Sequence, residues 1–141
     1  MARRNNRQLP ENMKRRTISR ALLAVFFLVA GANHFRAPEI YLGMMPPWLS
    51  WHSALVQVSG VAEILGGLGV LWPMSRRCAG WGLCLLLLAV FPANLHVALQ
   101  GKMPGFDFSP VTLWLRLPFQ AVLVAWVWWS TLAPFRNEIL D

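Results

Sequence analysis

The chain has 141 residues, of which 56% are apolar and only 13% charged, and it carries eight tryptophans. Soluble chains carry about 25% charged residues, so the composition excludes an ordinary soluble domain, and the length suits one structural unit. The net charge of +7 does not point to nucleic acid. The first twenty residues hold Arg3, Arg4, Arg7, Lys14, Arg15, Arg16 and Arg20 against Glu11, which accounts for +6 of the +7. A basic stretch directly ahead of an apolar run reads as a cytoplasmic topology signal that also meets anionic lipid.

In chain order, residues 1–16 form this basic tail, residues 17–134 a membrane domain and residues 135–141 a second cytoplasmic tail. The domain contains four apolar segments, 17–33, 54–72, 78–99 and 111–132. Each is close to the ~20 residues that a hydrocarbon core of about 30 Å requires. Backbone in lipid must satisfy its own hydrogen bonds, so all four are expected to be helices. Arg20 lies one turn inside the first and is expected to snorkel to the surface. An Arg-rich start followed by an apolar run and Ala30-Gly31-Ala32 also fits a cleavable leader, which is the rival reading of this segment.

Residues 34–53 make a long connection containing Met44-Met45-Pro46-Pro47-Trp48, Tyr41 and Trp51. Prolines forbid a regular helix across it. It reads either as a lid over the mouth of the bundle or as a plain connector anchored by its aromatics. The short second turn carries Arg76 and Arg77, whereas the other two loops are balanced, Arg36 with Glu39 and Lys102 with Asp107. The positive-inside rule therefore puts both termini and the second turn in the cytoplasm. The tryptophans fall near the two expected interfaces: Trp48, Trp51 and Trp114 on one side, and Trp72, Trp81, Trp126, Trp128 and Trp129 on the other. Cys78 and Cys84 lie about 240° apart on a helix, so they are expected to be two buried free thiols rather than a dithiol.

The polar residues of these segments suggest one site. Glu63 is a lone carboxylate in the second segment, and an ionisable side chain at that depth is a functional-site candidate by default. Its depth is roughly 13 Å from the outer surface, and Arg116 and Gln120 lie about 8 and 14 Å down the last segment on one i, i+4 face. Asn94 sits near the outer end of the third segment and His34 closes the first, so all of these fall in the outer half, while the inner half is Leu, Val, Ala and Trp. Glu63 and Arg116 are expected to form an ion pair, structural or functional. Ser59, Gly60, Gly66 and Gly67 leave room for a neighbouring helix beside Glu63. Asn94 and His96 differ by about 200° around the helix, so one of the two lines the pocket, with Asn94 favoured. Pro92 and Pro118 free the carbonyls of Leu88 and Trp114. A metal site would need His34, Glu63 and His96 together, and no paired histidine spacing supports it, so none is expected.

Taken together, His34-Phe35-x-x-Pro38, Met45-Pro46, Ser59-Gly60-x-x-Glu63-x-x-Gly66-Gly67 and Phe91-Pro92-Ala93-Asn94-x-His96 resemble the DoxX family of small bacterial membrane proteins. The resemblance spans Gly31 to about His96 and leaves out the basic tail. It implies a four-transmembrane-helix bundle in the bacterial inner membrane; some members of that family are associated with quinone-linked sulfur oxidation or with redox and thiol-stress complexes, usually as a small subunit. The cysteine positions depart from a dithiol-handling protein. The expected function is thus an accessory subunit of a redox complex, with a quinone as the cofactor it admits and a redox protein, or a second copy of the chain, as partner. The ligand-binding residues would be His34, Ser59, Glu63, Asn94, Arg116 and Gln120, and no catalytic residue is assigned. A non-catalytic structural protein is the first alternative and a small-molecule or proton transporter the second. The transporter stands last because the inner half offers no polar relay.

Overall fold

A computed structural model describes residues 11–103 and 105–134. Among the described residues the chain is all-helical: α1 (Glu11–Arg36), α2 (Pro38–Gly43), α3 (His52–Gly69), α4 (Arg76–Gln100) and α5 (Pro110–Val127), which runs on into a π-helical turn, Trp128–Leu132. The segments 1–10 and 135–141 of the two expected tails lie outside the described residues. The long helices run alternately up and down. They leave α2 at one end of the bundle and bring Arg16 to Ala133 and Pro134 at the other, the terminal end.

Three helical stretches, Glu11–Arg36, Arg76–Gln100 and Pro110–Leu132, are long and apolar enough to cross a membrane. α3 is not among them: its 18 residues rise roughly 27 Å and include His52, Ser53, Gln57, Ser59 and Glu63. α1 begins six residues earlier than the apolar pattern indicated, within the basic stretch. Two of those bases explain part of the extension. Arg16 donates to the carbonyls of Ala133 (2.8 Å) and Pro134 (3.1 Å), and the exposed Arg15 lies 3.9 Å from Glu11 one turn away.

Local signals set the helix ends. The Ser109 hydroxyl caps α5 by accepting from the Thr112 amide, with Pro110 following at the first helical position, where a missing N–H costs nothing. Gly101 ends α4 in the left-handed conformation, φ 68°. Pro38 opens α2 in the same permitted way, so the connection holds one short helix in spite of its prolines. Pro92 and Pro118 lie inside α4 and α5, which continue through them.

The packing is sequential: α1 lies on α3, α3 on α4 and α4 on α5. The α1–α3 seam is the closest. A Cβ on Gly31 would lie 2.7 Å from the Gly60 carbonyl oxygen, and one on Gly60 would lie 2.8 Å from His34 Cβ. Gly67 faces α1 as well, whereas Gly66 faces Leu83 of α4, so the small residues around Glu63 serve two neighbours. The main core gathers Leu23, Phe27, Val70, Leu83, Leu87, Leu123 and Val127, and a smaller one at the α2 end joins Met44, Val97 and Leu113. The ring closes at the terminal end, where α1 meets the π-helical turn.

That closure corrects two expectations. Arg20 does not snorkel. It is buried and its Nε donates to the Ser130 carbonyl at 2.8 Å. Nor is this half of the bundle purely apolar: Ser19 and Ser130 share a hydrogen bond of 2.7 Å, and Trp126 Nε1 donates to Ser19 at 2.7 Å. The π turn makes this possible by widening the helix so that the consecutive residues Ser130, Thr131 and Leu132 are all buried. The thiols differ too. Cys84 is buried, but Cys78 is exposed in the first turn of α4.

A candidate binding cavity at the α2 end

A cavity of about 190 Å³ opens inside the bundle at the α2 end. Each long helix contributes a polar side chain to its lining: His34 from α1, Ser59 and Glu63 from α3, Asn94 from α4 and Arg116 from α5. Phe27, Leu87 and Leu123, members of the main core, form its floor. Tyr41 of α2 and the following Met44 and Met45 cover it from above. The connection therefore lies over the cavity, with Trp48 and Trp51 exposed on its far side.

Glu63 and Arg116 line the same cavity without pairing as expected. Among the described residues the partner of Glu63 is His34, with Nε2 3.5 Å from Oε2. The guanidinium of Arg116 turns instead to the loop before α5, where Nη1 donates to Met103 Sδ at 2.6 Å. The physical reason is the seam: Gly31 and Gly60 bring α1 and α3 so close that His34 reaches Glu63 first.

The tautomer of His34 follows from its other contact. Nδ1 lies 2.9 Å from the Val56 carbonyl, which can only accept, so Nδ1 carries a proton. In the neutral ring Nε2 is then a lone pair facing a carboxylate, and the contact is favourable only when one proton sits on the pair. At 3.5 Å it is not a formed hydrogen bond, and Glu63 Oε2 is buried with no hydrogen-bond partner. Stacking on Tyr41, with ring centroids 3.7 Å apart, fixes the plane of the imidazole, and Tyr41 in turn accepts a hydrogen bond from Asn33 (3.0 Å).

On the opposite wall, Asn94 Nδ2 donates to Gln120 Oε1 at 3.1 Å, and Gln120 Nε2 donates to the Leu87 carbonyl. Gln120 is buried behind Asn94 and holds it; it does not line this cavity. His96 turns away to Gln100 (3.0 Å) and stays out of the site. Among the described residues no three potential metal ligands come together. Three contributors carried no sequence signal of a site: Tyr41, Met44 and Met45 act only because α2 folds back over the cavity. In sequence the connection that carries them reads either as a lid or as a plain connector, and neither reading assigns them to the binding set.

These features define a class: an all-helical chain with three helices long and apolar enough to cross a membrane, enclosing a mostly apolar cavity with polar groups on its walls. More narrowly, the chain belongs to the family described as Domain of unknown function (DUF8561), whose sequence model matches residues 23–131. The match runs from α1 to the π turn and contains His34, Ser59, Glu63, Asn94, Arg116 and Gln120. No curated protein and no solved structure matches the chain.

Proposed function

We propose that this is a DoxX-like integral protein of the bacterial inner membrane that binds a quinone or a similar ring-headed amphiphile in the cavity at the α2 end, as an accessory subunit of a redox complex. In this reading α3 is the fourth transmembrane helix and both termini are cytoplasmic. Its polar Ser59 and Glu63 face the cavity, while Val58, Val61, Leu65 and Leu68 form an exposed apolar stripe suited to lipid. Positive charge concentrates at the terminal end through Arg16, Arg20, Arg76 and Arg77, which supports placing that end in the cytoplasm. Alkaline phosphatase fused after residue 141 should be inactive in cells, and an active fusion would refute the orientation.

The observation that carries the binding reading is Glu63 Oε2, a buried oxygen with no hydrogen-bond partner at the edge of an apolar cavity. Buried polar atoms are almost always satisfied, so an unsatisfied one beside a hollow calls for a donor from outside the chain. The residues present fit the reduced, quinol form of a quinone: the Glu63–His34 pair can accept from one ring hydroxyl, and the Arg116 guanidinium has further N–H groups, beyond the one spent on Met103, for the ring's other oxygen. When bound, a quinone would supply reversible two-electron, two-proton chemistry. This chain's share is to hold the ring, exclude water and keep one proton at the Glu63 Oε2–His34 Nε2 contact. Protein extracted in native lipid discs should retain a quinone recoverable by solvent, and Glu63→Gln should lose it. Discs empty of quinone in both forms would refute the reading.

A further inference from the structure

The cavity is too small for a long tail, and its weakest wall is the one between α1 and α5. Every other pair of adjacent long helices packs extensively, but α1 and α5 barely touch among the described residues, and the ring closes only at the π turn. Two surface grooves run into this gap. One lies along α1, lined by Leu22, Val25, Val29 and Trp126; the other lies along α5, lined by Phe108, Thr112, Phe119 and Gln120. Phe26 lines both grooves and the cavity as well. It is about one-third exposed, and its ring leans on Phe27 edge-on (5.2 Å) and on Trp126 at a tilt (6.3 Å).

We infer that the gap between α1 and α5 is a lateral portal gated by Phe26, through which a single-tailed amphiphile with a quinol ring enters from the bilayer. The ring seats between the Glu63–His34 pair and Arg116, and the tail lies across Phe26 in the apolar groove along α1. The inference rests on the proposed binding reading and adds the route and the ligand's form. Three observations support it. The cavity volume of about 190 Å³ leaves space for a head group only. α2 with Met44 and Met45 covers the end that would otherwise serve as an entrance. The residues flanking the gap are apolar and wide open, Val25 at 60% and Val29 at 66% exposure on α1, and Phe119 at 55% on α5.

The test is equilibrium binding to the full chain in lipid nanodiscs, under reducing conditions, of two probes, a benzoquinol bearing a decyl chain and the same ring without it. Val29→Trp, which lines the α1 groove and not the cavity, should weaken the decyl probe by about tenfold, the scale of adding ring atoms to a packed contact, and leave the short probe within about twofold. Val61→Trp, on the lipid face of α3, controls for membrane partitioning and should change neither. Phe26→Ala needs no extra space and tests the gate itself: it should speed both uptake and release of the decyl probe. Equal weakening of both probes in Val29→Trp, or unchanged decyl-probe rates in Phe26→Ala, would overturn the portal while the cavity reading stands. Failure of the unmodified chain to bind either probe would overturn both.

Discussion

The two ends of this bundle use buried polar groups in opposite ways. At the terminal end Ser19, Arg20, Trp126 and Ser130 are joined to one another or to a backbone carbonyl at 2.7–2.8 Å. Arg16 reinforces them from the side through the Ala133 carbonyl and lies over the Trp129 ring, 5.7 Å from its centroid. At the α2 end the contacts of the charged side chains are longer or softer: 3.5 Å from His34 to Glu63, a thioether sulfur as the acceptor for Arg116, and one carboxylate oxygen with no partner. A closed network fixes helices, whereas an incomplete one beside a hollow has hydrogen-bonding capacity left for a ligand. The contrast teaches that buried polarity alone does not mark a candidate site; unsatisfied polarity beside a hollow does.

If that division holds, substitutions at the terminal end should cost stability and those at the α2 end should cost binding. The largest effect is expected from Arg20→Leu, which removes a charged donor and leaves the Ser130 carbonyl without it; reversible unfolding in mixed micelles should show a loss of about 2 kcal/mol. An unchanged midpoint would mean that the clasp does not hold α1 to α5. Gln120→Leu comes next, at about 1 kcal/mol, because Gln120 joins Asn94 to the Leu87 carbonyl. It also sharpens the comparison, since releasing Asn94 should weaken ligand retention as well, whereas Arg20→Leu at matched unfolding should not. Trp126→Phe keeps the ring and deletes one hydrogen bond to Ser19, so the same unfolding measurement should register only about 0.6 kcal/mol, the average for such bonds between membrane helices.

The two regions also differed in how readable they were. Glu63 and Arg116 stand out because charge is rare in long apolar runs, and depth from helical rise placed them at one end together with His34 and Asn94. Rise along an axis does not fix the rotation of a helix or its distance from its neighbours, however. The Gly31–Gly60 approach that gives Glu63 to His34 was visible only as two small residues. The terminal clasp is not legible in the sequence for another reason. Ser19, Ser130 and Thr131 look like isolated hydroxyls at helix ends, and a regular 3.6-residue repeat would not bury three neighbours in a row. The π turn breaks that repeat, and nothing in Trp128–Leu132 signals it.

The smallest expected change in stability is the most discriminating. In Glu63→Gln the carboxylate becomes an amide whose N–H₂ can donate to His34 Nε2, the ring nitrogen left as a lone pair by the Nδ1–H contact to Val56. The substitution therefore sets a donor against an acceptor without the proton that the parent pair must hold, at nearly constant volume, so unfolding should stay within about 0.5 kcal/mol of the parent or move to higher stability. Quinone retention in native discs should nevertheless fall, because the amide donor occupies the nitrogen and the free acceptor oxygen is gone. A purely structural Glu63 predicts the reverse, a destabilised bundle with nothing to lose in binding. Measuring both quantities on this one variant separates a ligand site from a helix-positioning contact, since either property changing alone assigns the α2 end to one side of the comparison.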